Sequence, residues 1–203
     1  MQIALVILIS ALTGALLAGP WIDWPTSEGL VGVVLMVGAA LYMRRHWQQR
    51  AAVQGDEPGE PEQEVWHGLA STSLIGAQML TALLMAGPAM QMHSAASNRL
   101  GAMTWTLIGG ALLSWYILHR REVVKDERDR AIDARATSLS GMTLALLIIV
   151  ISVTLGFNPP QRLQAMSHAF LANVLMLTLV VSSLVRHALQ LWGYRRDTLD
   201  SSA

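Results

Sequence analysis

The stretch DERDRAIDARATSLSGMTLALLIIVISVTLGF, residues 126–157, changes character once, at Ala136. Before that point most residues are charged. From Ala136 to Phe157 there is no Asp, Glu, Lys or Arg. A helix rises about 1.5 Å per residue, so some 20 apolar residues cross about 30 Å of hydrocarbon. The stretch therefore reads as a charged helical lead-in that runs into a membrane span.

Working outward, five more stretches share the apolar half of this pattern. With 137–157 they are residues 2–19, 29–43, 65–86, 100–118 and 163–185, and none contains a formally charged side chain. The first lacks the basic start of a signal peptide and is followed at once by a second apolar run, so it reads as a retained helix. The expectation is an all-α polytopic membrane helix bundle, with six transmembrane helices as three hairpins. Composition agrees. Of 203 residues, 53% are hydrophobic and only 14% charged, with a mean hydropathy of +0.41. That charge fraction is too small to cover a soluble domain, which carries about a quarter. A secreted, disordered or fibrous chain is excluded by the same arithmetic. With no cysteine, disulfides, thiolate metal sites and cysteine nucleophiles are excluded as well.

The 14 basic residues are not spread evenly. Arg44, Arg45 and Arg50 follow the second stretch, and Arg120, Arg121, Lys125, Arg128, Arg130 and Arg135 precede the fifth. Arg186, Arg195 and Arg196 follow the sixth, which leaves Arg99 and Arg162 for the other side. The positive-inside rule then places both termini in the cytoplasm of a bacterial inner membrane. Trp21, Trp24 and Trp105 would mark the outer interface, and Trp47, Trp66, Trp115 and Trp192 the inner one. The 14 acidic residues cancel the basic ones, so net charge predicts no nucleic-acid partner. Residues 44–64 read as a flexible acidic cytoplasmic loop. Residues 119–136 read as a charged cytoplasmic helical loop, supported by opposite charges four apart at Asp126 and Arg130.

Two hairpins echo each other. Ala136-Thr-Ser-Leu-Ser-Gly141 matches Ser71-Thr-Ser-Leu-Ile-Gly76, and Arg162-Leu-Gln-Ala-Met-Ser167 matches Arg99-Leu-Gly-Ala-Met-Thr104. Both would start in the cytoplasm, so this is a parallel duplication of helices three-four and five-six. Thr72 with Gly76, and Thr137 with Gly141, would let neighbouring backbones approach closely. Arg99 and Arg162 would cap helix ends or reach lipid phosphates.

Candidate chemistry is sparse. No carboxylate lies in any span, and the motifs of metallohydrolases, serine hydrolases and P-loop proteins are absent. The polar groups at depth are Gln78, His168 and Asn173, which would bridge helices or border a solute path. His46, His67, His119 and His187 gather at the cytoplasmic side, where a helix C-terminus favours histidine without any ligand role. Met90, Met92 and His93 offer a thioether and imidazole set suited to copper, against a plain packing role. No cofactor is called for.

The segment Asp126, Glu127, Arg128, Asp129, Ile132 and Ala136 resembles the D-E-R-[DE]-x-x-I-x-x-x-A signature of a family of uncharacterised, predicted integral membrane proteins of bacteria and archaea. The resemblance implies a membrane-bound sequestering or sensing role beside small helix-turn-helix regulators. The expected function is a non-enzymatic regulatory or accessory subunit. Its charged inner face (Asp126, Glu127, Arg128, Asp129, Arg130 and Asp133) would dock a cytoplasmic protein. The alternative is a small transporter or permease for a metal ion or hydrophobic solute, with Gln78, His168 and Asn173 along its path. The bilayer is the environment in either case, and a homo-oligomer is compatible with both.

Overall fold

The computed structural model describes residues 2–22, 27–54, 60–119 and 126–200. Among these are seven helices and no strand: α1 (Gln2–Ala18), α2 (Glu28–Gln54), α3 (Glu60–Ala86), α4 (Ala95–Leu118), α5 (Glu127–Phe157), α6 (Pro160–Gln164) and α7 (His168–Asp200). Four are long and apolar enough to cross a membrane, namely α3, α4, α5 and α7. At 17 residues α1 spans only about 26 Å. The second helix reaches Arg44 and Arg45 before one bilayer thickness of apolar residues has passed.

Three helix boundaries differ from the sequence expectation. Residues 44–64 were expected as a loop, but α2 continues to Gln54 and α3 begins at Glu60. Alanine, glutamine and arginine after Trp47 are good helix formers, and Pro61 sits in the first turn of α3, where its missing N–H costs nothing. Residues 55–59, the centre of that loop, lie outside the described residues, as do Trp24 and residues 120–125 of the charged loop. The stretch 163–185 is divided. Short α6 ends at Gln164 and α7 starts at His168. The Ser167 hydroxyl accepts from the Phe170 amide at 3.0 Å and caps α7, while the Ser167 amide donates to the Pro88 carbonyl at 2.9 Å. This ties the start of α7 to the turn after α3.

The tightest packing is between hairpins rather than within them. The central helix is α3, with α1, α4 and α7 against it, while α2 lies on α4 and α5 on α7. Glycines set these approaches, as small residues do wherever membrane helices meet. A Cβ on Gly14 would stand 2.1 Å from the Leu74 carbonyl oxygen, and one on Gly110 would stand 2.7 Å from Val33 Cγ2. The core along α3 is built on Leu74, Met79, Leu83, Leu100 and Leu107, with Leu17 from α1.

The two matched hairpins sit in unlike surroundings. Gly76 faces Val180 of α7, whereas Gly141 has nothing within 4 Å of its Cβ position. In α5 only Ala136 and Ser140 are buried, and Phe157 is 87% exposed. A bilayer supplies what this apolar surface needs. Arg99 and Arg162 do not cap equivalent ends. Ser94 caps α4, Arg99 pairs with Glu28 across the interface with α2, and Arg162 is exposed in α6. Nor are all the tryptophans interfacial anchors. Trp47 is buried, and Trp66 carries the Arg195 guanidinium 5.7 Å above its ring.

The charged ends of the helices meet on one side of the bundle. There Arg195 bonds Gln2, Arg44 donates to the Ile117 carbonyl at 3.0 Å, and His119 Nδ1 lies 2.7 Å from Glu64. The Arg99–Glu28 pair and the Ser167–Met90 bond close the opposite end.

Candidate polar cavity at the charged end

The start of α5 sets the geometry. Asp126 accepts from the Asp129 amide at 2.7 Å, and Asp129 accepts from the Asp126 amide at 3.2 Å. This capping box satisfies two otherwise orphaned N–H groups and starts the helix at Glu127. From that starting point helical spacing sorts the charges by face. Asp129 and Asp133, four apart, share one face. Arg128, Ile132 and Arg135 share the next, and Glu127 and Arg130 are exposed on the remaining surface.

The acidic face turns inward. Asp133 Oδ1 accepts from Arg186 Nη2 at 2.6 Å and from Gln190 Nε2 at 2.7 Å, both on α7. Gln190 Oε1 in turn accepts from His187 Nδ1 at 3.3 Å. The His187 ring packs against α3 at Gly68, where a Cβ would stand 2.6 Å from the ring. One residue away, His67 Nε2 donates to the Ala111 carbonyl of α4 at 3.2 Å and lies 3.3 Å from the Ser71 hydroxyl. His67, Ser71 and Gln190 are all buried. The Tyr194 hydroxyl is within hydrogen-bond reach of Asp129.

These groups surround a cavity of about 350 Å³ between α3, α4, α5 and α7. Its upper wall holds Glu64, Asp129, Asp133 and Arg186, and its lower wall is Ile75, Ile108 and Leu112. The volume falls in the range of small-molecule sites, and the polar groups converge from four helices. The arrangement can hold a small amphiphile, with hydrogen bonds at one end and dispersion contacts at the other. Among the described residues no group of three or more His, Asp or Glu is placed to hold a metal ion.

The expected docking residues are thus divided. Asp126 and Asp129 build the helix start, and Asp133 holds α7. Arg128 Nη2 donates to the Tyr194 carbonyl at 3.4 Å. The rest of the sequence signature is also contact between helices. Ala136 is buried, and Ile132 packs where a Cβ on Gly193 would come within 2.9 Å of it. Of the set, Asp126, Glu127, Arg128 and Arg130 are exposed, and Asp129 and Asp133 are half-buried.

The three path residues do not converge. Gln78 is fully buried, accepts from the Thr104 hydroxyl at 3.1 Å, and keeps its Nε2 buried without a partner. It borders a separate cavity of about 220 Å³ near Arg99 and Ala18. His168 is exposed, and Asn173 donates to the Ala169 carbonyl of its own helix at 2.8 Å. The copper candidates diverge too. Met90 is buried in the core, while Met92 and His93 are exposed, the latter at φ 61 in the turn before α4.

His67, Ser71, His187 and Gln190 were not singled out as a site from the sequence. The available signals were two helical pairs, His67 with Ser71 and His187 with Gln190, and the glycine beside His67. Comparison with curated proteins and with solved structures returns no match. One family model, described as predicted membrane protein DUF2178, matches residues 73–198, from α3 through most of α7. That is more than half of the chain, and the protein accordingly belongs to the DUF2178 family of predicted membrane proteins.

Proposed function

We propose that the protein is a non-enzymatic regulatory or accessory subunit of a bacterial inner membrane, which docks a cytoplasmic protein on its charged end. In this reading the chain has six spans, with α1 and α2 as the first hairpin and both termini cytoplasmic. The supporting observation is that the charged ends of α2, α3, α4, α5 and α7 gather on one side, with Glu127 and Arg130 exposed there on α5. The docking surface narrows to Glu127, Arg130 and the basic ends of neighbouring helices, because Asp126 and Asp129 form the start of α5, Arg128 bonds the Tyr194 carbonyl and Asp133 holds α7. The test is co-purification from native membranes with a Glu127→Lys, Arg130→Glu double variant. A cytoplasmic protein recovered with the parent chain should be lost, while the variant keeps its thermal stability. Recovery of the same partner at the same yield overturns docking at this surface.

A second reading is a small transporter or permease for a metal ion or hydrophobic solute, and the cavity beside Asp133 favours it. It requires flux in proteoliposomes that falls when His67 or Gln190 is replaced by Leu. Equal flux in empty liposomes removes it.

A further inference from the structure

The α5·α7 pair has a concavity on each side. The outer one, about 630 Å³ in volume, is lined by Arg135, Leu139 and Trp192 among others. The inner one is the polar cavity of about 350 Å³, and its hydrogen bonds form a chain in which each link fixes the next. The Asp133 carboxylate only accepts, so the Gln190 amide turns its Nε2 toward it. Gln190 Oε1 then faces His187 and also only accepts, which puts the hydrogen of the neutral imidazole on Nδ1. His187 Nε2 is left with a lone pair that no donor meets among the described residues.

On α3 the same reasoning leaves a donor. The Ala111 carbonyl only accepts, so His67 carries its hydrogen on Nε2, and Ser71 Oγ lies 3.3 Å from that N–H. The Ser71 hydroxyl hydrogen therefore has no acceptor there. Thr72 spends its own on the Gly68 carbonyl at 2.7 Å. Ser71 is 6% exposed, so bulk water does not serve it. The unused acceptor and the unused donor are neighbours. The His187 ring packs at Gly68, and Ser71, three residues on, shares that face of α3.

The cavity opens sideways. Helices α4 and α7 each pack along α3 rather than along one another. Ile108, Leu112 and Trp115 form the α4 wall of the space between them. Leu112 and Trp115 are 62% and 40% exposed, so this wall runs out onto the membrane-facing surface.

We propose that the cavity binds a lipophilic alcohol drawn from the bilayer. Its hydroxyl donates to His187 Nε2 and accepts from the Ser71 hydroxyl, and its apolar chain leaves between α4 and α7 past Leu112. A hydroxyl is selected because one atom does both jobs. An ether or a ketone leaves His187 Nε2 unpaired, a carboxylate has no hydrogen to give it, and an ammonium group cannot accept from Ser71. The cavity is the one invoked for transport, but binding does not depend on flux. An alcohol bound without flux removes the transport reading alone.

The test uses the purified full-length protein in phosphatidylcholine nanodiscs, with a dodecanol carrying a photoactivatable diazirine in its chain. Labelling should fall on residues 71–75 and 108–115. Unlabelled dodecanol should suppress it at an about tenfold lower mole fraction than dodecyl methyl ether, the scale of one buried polar group left unpaired. His187→Phe should remove this preference for alcohol over ether. Ser71→Ala should weaken both competitors, since either oxygen accepts from that hydroxyl. Ser114→Ala should change neither, because that hydroxyl bonds the Gly110 carbonyl of its own helix. Equal suppression by alcohol and ether overturns the proposal, and that parent-chain comparison decides even if His187→Phe misfolds. Suppression by the methyl ketone of the same length as strong as by the alcohol overturns it in favour of a carbonyl site. Stronger suppression by dodecanoate overturns it in favour of an anion site. Label spread along the exposed face of α5 shows lipid contact only, and overturns it too.

Discussion

Two concavities flank the same pair of helices, and they differ in what their charges are for. In the inner cavity Asp133 is bonded to Arg186 and Gln190, and the donors of α7 are held in place by it. In the outer groove the charged lining among the described residues is Arg128, Arg135 and Arg196. Asp133 and Arg135 are two residues apart, yet one stabilises the bundle and the other faces outward. A run of mixed charge in a sequence is therefore not one surface. A helix divides it into faces, and packing on one side decides which charges are structural.

The strongest way to break this comparison is to substitute both sides of it. Asp133→Leu strands the Arg186 charge and two donors, and should cost about 2–3 kcal/mol, reduced from a fully buried pair because both side chains keep some exposure. Arg135→Leu should stay within about 0.5 kcal/mol. Thermal unfolding in mild detergent reads both, and equal shifts would sink the division into structural and outward-facing charge. Gly68→Ala comes next, at about 1–2 kcal/mol, because the His187 ring must leave its place on α3. The same variant should weaken any ligand binding in the cavity, and an unchanged melting temperature would show that the ring moves freely. Gln190→Leu should cost about 1 kcal/mol, the scale of one interhelical hydrogen bond in a membrane. A neutral outcome would mean that Asp133 is held in place without Gln190. The smallest effect belongs to Glu127→Lys with Arg130→Glu, under about 1 kcal/mol, part of it from placing a cation at the helix N-terminus. A larger loss would show that these two side chains also serve the bundle.

Much of the fold was legible because bilayer crossing depends on length and apolarity, which a chain displays openly. Residues 137–157 read as a span and form the membrane portion of α5, one of four helices of crossing length. The boundaries around residues 44–64 were not legible. Helix propensity there opposed an acidic composition, and propensity prevailed on both flanks of residues 55–59. The break between α6 and α7 depended on the Ser167 contact with the α3–α4 turn, which no local pattern announces. The site was harder still. His187 read as an ordinary histidine near a helix end until Gly68 of another helix came beneath its ring. The signature from Asp126 to Ala136 was visible, but its meaning was not, because a motif that holds α5 to α7 looks the same as one displayed to a partner.

By itself the sequence determined that the chain is helical, that it belongs in a bilayer, and that its charge is concentrated between and beyond the apolar runs. These properties follow from composition and spacing, which are additive along the chain. Only the tertiary structure decided that α3 is central and α5 peripheral, and that acidic and basic side chains of one segment part company. Those outcomes depend on which glycine meets which backbone and on which side of α5 the partner helix lies. They are pairwise facts between residues far apart, and no local reading of either residue contains them.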